Sequence, residues 1–228
     1  MDQFGEKRTE QNANVAPLLE RAFIFLEDGD WSSADKYCER VLDIDPKCAD
    51  AYLVKLMAEM QASKREKLKE CAEPFDGSGN YQKVLRFADE CIKAELTGYI
   101  EHIKTRNENA RLESIYTRGR NTMFAATAEK AFKEAERIFK TIPEYKDATQ
   151  LAQECHKLAE DAKKEAVLAD AKDKMAGNTV YNYEEAIRLL QHIPGWKDAD
   201  ERIVACNDGI KKIKAEQECL RQEAERKV

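Results

Sequence analysis

The sequence predicts an all-α protein built from stacked helical hairpins (αα-hairpins), and three observations support that prediction. The chain has nine glycines and five prolines in 228 residues, about half their usual share, so it lacks the frequent turns of an all-β fold. Hydrophobic residues make up 43% of the chain and charged residues 36%, which suffices for a core beneath strongly charged helix faces. An aromatic residue followed three positions later by a small or β-branched one recurs four times at near-constant spacing, as in helical repeats.

The four copies of this pattern have aromatic residues that are 50, 51 and 51 positions apart. Residues 142–148 (IPEYKDA) match residues 193–199 (IPGWKDA) at the same offset of 51, and Cys155 matches Cys206. This spacing indicates that the last two copies are repeats. The residues that define the pattern are the pairs Trp31 and Ala34, Tyr81 and Val84, Phe132 and Ala135, and Tyr183 and Ala186, together with Pro46, Pro143, Tyr145, Pro194 and Trp196 in the turns that follow.

Each position of the repeat has a mechanical reason. The small residue lets two helices approach closely, and the aromatic ring one turn earlier fills the gap between a helix and its neighbour. The prolines end the preceding helix because they lack the amide donor and clash backward. Gly29-Asp30 and Gly79-Asn80 supply the turn and the cap before two of the helices. Asp147 and Asp198 suit the first turn of the next helix, where a carboxylate complements the dipole.

The elements follow in order along the chain. Residues 1–13 carry no apolar periodicity and are predicted to be a disordered tail. Residues 73–79 (EPFDGSG) are the clearest loop and the predicted domain boundary, between a hairpin with a following helix over 14–72 and longer repeats over 73–228. Helices are predicted over 15–28, 31–44, 48–62, 64–71 (a weaker one), 80–95, 98–124, 127–141, 146–175, 182–192 and 196–225.

The first hairpin, Leu18 to Pro46, resembles a tetratricopeptide repeat (TPR). Ala22 and Phe25 occupy the family's positions in the first helix, and a Gly-Asp-Trp-x-x-Ala motif that begins at Gly29 matches its turn and second helix. Leu56 stands where the next unit of the family has a small residue, so the close match covers one unit. The resemblance implies an α-solenoid, in which hairpins stack as a right-handed superhelix and each contacts only its neighbours.

As a whole the chain resembles the TPR-like helical-repeat proteins of uncharacterised function that Gram-positive bacteria encode. Proteins of that kind often carry a zinc ribbon before the repeats and a membrane anchor after them, and this sequence shows neither pattern. The resemblance implies a non-enzymatic scaffold or adaptor that binds another protein along its concave face. The alternative function is a structural helical spacer that links other modules of a longer chain.

The inner row of the first helices is the candidate partner-binding surface. TPR domains that grip acidic chaperone tails line this row with lysine, asparagine and arginine, whereas the row here is apolar and contains methionine. Such a groove suits an amphipathic helix or a hydrophobic peptide. Alternatively, the row is core that the chain's own helices cover. Its residues are Leu19, Phe23, Leu26, Leu53, Met57 and Met60.

The sequence chemistry argues against an enzyme, a metal centre and a nucleic-acid binder. No catalytic or phosphate-binding motif occurs, the three histidines are isolated, and no two cysteines have the spacing C-x-x-C. No cofactor is expected. The net charge is −6. Residues 102–120 contain five basic and two acidic residues, which we expect to be a solvated helix face; the alternative is a contact with an acidic partner or nucleic acid.

Targeting and assembly signals are equally sparse. No apolar run is long enough to cross a bilayer, and the polar N-terminus does not resemble a signal peptide. Seven cysteines at unpatterned spacings predict reduced thiols in a cytoplasmic protein, with Cys155 and Cys206 in equivalent core positions. The C-terminal helix is expected to pack only as far as about position 214 and then to project into water as a frayed, monomeric linker.

Overall fold

The computed structural model describes residues 3–226, with side chains from position 14 onward. Over that range the backbone forms nine α-helices, one 3₁₀-helix over Arg65–Glu70 and no β-strand, so the predicted all-α class is confirmed. No helix in this part of the chain combines the length and the apolar character needed to cross a bilayer. The α-helices are α1 (Gln3–Glu27), α2 (Trp31–Ile44), α3 (Ala49–Glu59), α4 (Gly79–Phe87), α5 (Glu90–Phe124), α6 (Glu129–Phe139), α7 (Ala148–Ala176), α8 (Val180–Leu190) and α9 (Ala199–Arg226).

The start of α1 differs from the sequence-based expectation. The helix begins at Gln3, so its backbone occupies most of the segment 1–13 for which the sequence predicts a disordered tail. The helix continues through Pro17, and residues 6–16 contain no further glycine or proline, so the polar composition of this segment does not prevent a helical backbone. The first two residues of the predicted tail lie outside the described range.

The border between α4 and α5 also lies elsewhere than predicted. The sequence predicts one helix up to position 95, whereas α4 ends at Phe87 and α5 begins at Glu90. The backbone of Ala88 is extended, with φ −75° and ψ 164°. The carboxylate of Asp89 then accepts a hydrogen bond from the backbone N–H of Ile92 at 2.9 Å, which is the geometry of a helix N-cap.

Packing divides the chain into two compact units, residues 1–111 and residues 112–228. In the first unit, helices α1 to α4 and the beginning of α5 enclose a single core. The centre of that core is α3, in which every residue from 51 to 58 is buried. A helix that is apolar on nearly all sides is expected in the middle of a packed bundle.

The loop over 73–79 does not divide this packing, although it is the predicted domain boundary. Phe75 within the loop is buried, and Tyr81 and Val84 beyond it join the same core as Leu26. Because apolar residues on both sides of the loop share one core, the first unit extends into α5. The loop therefore connects two segments that contribute to the same core.

Helices α2 and α4 of the first unit are capped at their starts by short polar side chains. Gly29 has the positive φ of 75°, and the carboxylate of Asp30 accepts the backbone N–H three residues on at 3.0 Å, as the sequence predicts for the start of α2. At α4 the cap is Ser78 rather than Asn80. The Ser78 hydroxyl accepts the backbone N–H groups two and three residues on, at 3.2 and 3.3 Å.

The second unit consists of two helix triplets that share α7. The end of α5, α6 and the first half of α7 enclose one core, and the second half of α7, α8 and the beginning of α9 enclose another. The small residues Ala135 and Ala186 of the sequence pattern are fully buried in these two cores, as Ala34 and Val84 are in the first unit.

The turns of the two triplets share one left-handed residue, although the left-handed Gly195 has no counterpart in the first turn. Lys146 and Lys197, which lie 51 positions apart, both have a left-handed backbone, with φ of 51° and 48°. An L residue rarely adopts that conformation, so its recurrence identifies a shared turn. Just before these lysines, Tyr145 and Trp196 donate their backbone N–H groups to the carbonyls of the isoleucines three residues earlier, at 3.0 and 3.2 Å.

The first helices of the two triplets match at an offset of 52 instead of 51. At this offset buried Tyr116 corresponds to buried Leu168, and buried Gly119 corresponds to buried Ala171. Four residues connect α5 to α6, whereas three connect α7 to α8. The difference of one residue therefore arises in the loop, and the helices on either side of it remain equivalent.

Candidate functional site

The structure divides the predicted partner-binding row between the core and the surface of the first unit. Phe23 is the most accessible of its six residues, with 39% of its surface exposed. Most of the row contributes to the core, because α3 lies between α1 and the helices that follow. Buried residues of the row are Leu26, Leu53 and Met57, and half-buried ones are Leu19 and Met60.

A shallow cleft of about 400 Å³ remains beside Phe23. Leu53 and Met57 contribute to its lining, so the cleft retains three residues of the predicted row. Its other lining residues include charged side chains of both signs from α1, α3 and the segment 63–66. A narrow apolar base inside a ring of mixed charge does not single out one class of ligand.

The basic stretch over 102–120 is largely used within the protein. Arg106 donates hydrogen bonds to backbone carbonyls at the end of the 3₁₀-helix. Lys104 lies 2.8 Å from the carboxylate of a loop aspartate, and Arg111 pairs with the glutamate one turn before it at 3.0 Å. Arg118 and Arg120, at the end of the stretch, form no ion pair within the described residues. The uncompensated charge therefore lies in the second unit.

A groove lies between the end of α5 and the first half of α7, and we call it the docking groove. Its volume is about 670 Å³. Half-buried Met123, Leu151 and Leu158 form its apolar part, and Phe124 stands at its rim with 96% of its surface exposed. An exposed ring beside further accessible apolar side chains forms a continuous patch, which is typical of a contact surface. The remaining lining residues are Glu113, Tyr116, Thr117, Arg120, Asn121 and Lys146.

One edge of the docking groove is held by a charged network. Glu113 accepts hydrogen bonds from the Lys146 ammonium and from the Tyr145 hydroxyl at 2.6 Å, and these hold the pKa of Glu113 below its usual range. The Tyr116 hydroxyl donates to the Asp147 carboxylate at 2.6 Å, which raises the pKa of Tyr116. These contacts tie α5 to the turn before α7, so this wall of the groove is formed without a ligand.

The cysteines of the two triplets lie in the cores. Cys155 and Cys206 are fully buried, and burial raises the pKa of both thiols. In the first unit, burial raises the pKa of Cys38 to about 12. Thiols that stay protonated are poor nucleophiles. Within the described part of the chain, no group of three or more His, Cys, Asp or Glu side chains is arranged to hold a metal ion.

The docking groove and two helical glycines are absent from the sequence-based prediction. Phe124 ends α5 outside the repeat pattern, so the pattern does not draw attention to it. Gly119 and Gly209 lie inside helices, where an added Cβ atom would come within 2.8 Å of Phe139 and 2.7 Å of Tyr183. Glycine is unfavourable inside a helix. A glycine within a helical segment of the sequence therefore indicates that a neighbouring helix approaches closely there.

The sequence matches no protein-family model, and no curated protein or solved structure is significantly similar to it. The fold and the site by themselves define an all-α protein whose second unit presents an open groove of mixed polarity.

Proposed function

We propose that this protein is a non-enzymatic, TPR-like scaffold that binds an amphipathic helix or peptide of a partner protein in the docking groove. The exposure of Phe124, at 96% beside three further apolar side chains of the groove, is the observation that carries the proposal. An isolated apolar residue on a surface is ordinary, but a ring at the rim of an apolar groove favours a partner that covers it.

The location of the groove agrees with the resemblance to tetratricopeptide repeats. In such arrays the first helices of successive units line the concave face. The end of α5 and the second half of α7 are the first helices of the two triplets, and their equivalent turns support a repeated unit. A groove beside the first helix of a triplet corresponds to the surface that such arrays use for peptides.

The chemistry of the lining specifies the occupant. Met123 and Leu151 accept apolar side chains, and methionine adapts to their shapes. Glu113 already neutralises Lys146, which leaves Arg120 as the positive charge of the groove that pairs with no carboxylate in the described part of the chain. The complementary ligand is a helix with an apolar stripe and an acidic side chain that meets Arg120.

Site-specific photocrosslinking tests the proposal. We place p-benzoylphenylalanine at position 124 and, as the control, at position 181, since Tyr181 is also exposed, at 69%, but does not line the groove. In lysate of the source organism, the expected result is a covalent adduct with one protein from position 124 and none from position 181. Equal labelling from both positions, or no adduct from either, contradicts the proposal.

Charge reversal then tests the assigned contact with the purified partner. Arg120→Glu is expected to weaken binding at least about tenfold, because it places like charges opposite each other. Arg118→Glu is the matched control, since Arg118 is exposed on the same helix but does not line the groove. Equal losses from the two variants would indicate a general effect of charge and would remove Arg120 from the site.

One observation favours the second candidate function, a structural spacer. Every described side chain of α9 from Lys214 to Arg226 is exposed, although the helix continues. A helix that extends beyond its core is suited to hold another module at a distance. A groove without any crosslinked partner would favour this function.

A further inference from the structure

A second pocket lies between α6 and α7, and we call it the carboxylate pocket. Its volume is about 500 Å³, and Phe139, Pro143 and Ala152 form its apolar walls. Glu136 provides a carboxylate in the pocket, with Lys140 and His156 beside it. The pocket is distinct from the docking groove, because the two use different faces of α7. An apolar cavity with one convergent charged group is a typical binding site for a side chain or a small ligand.

Glu136 is unusually buried for an acidic residue, with only 9% of its surface exposed. Its carboxylate accepts a hydrogen bond from the Lys140 ammonium at 2.6 Å, and the Nδ1 atom of His156 lies 3.4 Å away. The hydrogen bond from Lys140 holds the pKa of Glu136 below its usual range, so the group is ionised at neutral pH. A buried carboxylate opposes folding unless a cation accompanies it.

The equivalent positions of the second triplet show that the helix pair does not need this carboxylate. At the offset of 51, Ile187 takes the place of Glu136, Gln191 the place of Lys140 and Asn207 the place of His156. The left-handed lysine of the turn nevertheless recurs in both triplets. Because the second triplet forms its core with an isoleucine at this position, the packing of the helix pair does not require a carboxylate.

Lys140 indicates what the carboxylate binds. Its ammonium occupies the position of a cationic ligand, yet 66% of its side chain is exposed. Pairs four residues apart on a helix stabilise it by only a few tenths of a kcal/mol, so Lys140 can give way to a competitor. The alkyl stem of Lys140 is largely exposed, whereas a ligand with an alkyl stem would bury that stem against the apolar walls of the pocket.

From this geometry we propose that the carboxylate pocket binds an arginine or lysine side chain of a partner protein, with its stem against Phe139, Pro143 and Ala152 and its cationic head on Glu136. Lys140 then turns to solvent. The pocket selects a cation by charge and a protein side chain by the length of the apolar stem.

A pair of isosteric probes tests the proposal on the full chain. Nα-acetyl-arginine N-methylamide carries the arginine side chain, and the corresponding citrulline compound has the same shape without the charge. Backbone amide signals of Phe139 and Ala152 are followed by NMR during each titration. We expect saturable shifts with the arginine compound and at least about tenfold weaker binding of the citrulline compound, since hydrogen bonds to charged groups are the stronger ones.

Three variants separate the pocket from a general effect of charge. Glu136→Gln is expected to weaken binding of the arginine compound about tenfold or more and to leave the citrulline compound unchanged. Lys140→Gln copies Gln191 and is expected to strengthen binding, because it removes the internal competitor. Glu134→Gln is the control: Glu134 lies on the same helix but outside the pocket, and we expect no change.

Several outcomes overturn the proposal. Shifts that do not saturate with either the wild type or Lys140→Gln exclude the site, and equal affinities for the two probes exclude the role of charge. Binding of spermidine that is tighter than binding of the arginine compound would assign the pocket to a free polyamine instead of a protein partner. If Glu136→Gln does not fold, Lys140→Gln and the probe pair still decide.

Discussion

Replacement of Gly119 by alanine tests how closely α5 and α6 approach each other. The Cβ atom of an alanine at this position would lie 2.8 Å from Cε1 of Phe139 and 3.0 Å from its Cζ, whereas carbon atoms in favourable contact are about 3.5–4.0 Å apart. Phe139 is fully buried and packs edge-on against Tyr116, with ring centres 6.0 Å apart. Because Gly119 and Tyr116 both lie against this buried ring, we expect the overpacking to destabilise the protein by about 1–3 kcal/mol.

Gly98 in the same helix is the matched control, since an alanine Cβ atom there meets nothing within 4 Å. An alanine in place of a helical glycine stabilises by about 0.5–1 kcal/mol, and this gain applies at both positions. We therefore expect Gly98→Ala to be stabilising and Gly119→Ala to be destabilising by up to about 2.5 kcal/mol. The difference between the two variants isolates the overpacking.

Urea unfolding of the full chain, followed by circular dichroism, measures both changes. The two glycines belong to different compact units, so each variant is compared with the wild-type transition of its own unit. The double variant Gly119→Ala, Phe139→Leu introduces the residue types that the second triplet has at the equivalent positions, Ala171 and Leu190. It should be more stable than the sum of the single changes predicts. A Gly119→Ala protein as stable as Gly98→Ala would refute this packing argument.

Three further predictions follow from burial and charge. Ala186→Leu should destabilise the second unit by about 1–3 kcal/mol in urea, because Ala186 is fully buried in its core. Burial lowers the pKa of Lys55, but its hydrogen bonds to Asp35 and Glu39 outweigh burial and raise the pKa above 10.5. The double variant Asp35→Asn, Glu39→Gln should therefore lower the free energy of unfolding by about 1–2 kcal/mol at neutral pH. The value is modest because both carboxylates are about half exposed. The difference from the wild type should disappear as the pH rises through the raised pKa of Lys55. Amides after Glu216 should exchange rapidly with solvent, since the side chains that follow are exposed; strong protection together with a dimer mass would contradict a monomeric helix end.

The elements that sequence predicted well are those with local signals at both ends. α2 begins at Trp31 and ends at Ile44, as predicted, because Gly29-Asp30 caps its start and Pro46 prevents its continuation. The α4–α5 border lacks a proline or glycine, and only the cap at Asp89 marks it. A single aspartate is a weak signal within a chain in which more than a third of the residues are charged.

The candidate site was less predictable, because helical periodicity cannot distinguish a core from a groove. Both need apolar residues at the same spacing on one helix face. Whether Leu26 and Met57 meet solvent depends on other helices of the first unit, which pack on them from elsewhere in the sequence. The docking groove depends in the same way on non-local packing, since Phe124 and Leu151 are distant from each other in sequence and become neighbours only through the turn before α7.

The two triplets of the second unit offer a way to separate structural roles from functional ones within a single chain. Positions that fold the unit should be equivalent in both triplets, and Lys146 and Lys197 satisfy this condition, since both are left-handed and both pair with a glutamate of the preceding long helix. Where two equivalent residues lie in matching helices but only one is charged, the packing of the helices does not require the charge. Glu136 and Ile187 are such a pair, so a variant with isoleucine at position 136 should fold normally and lose only the ability to bind a cation.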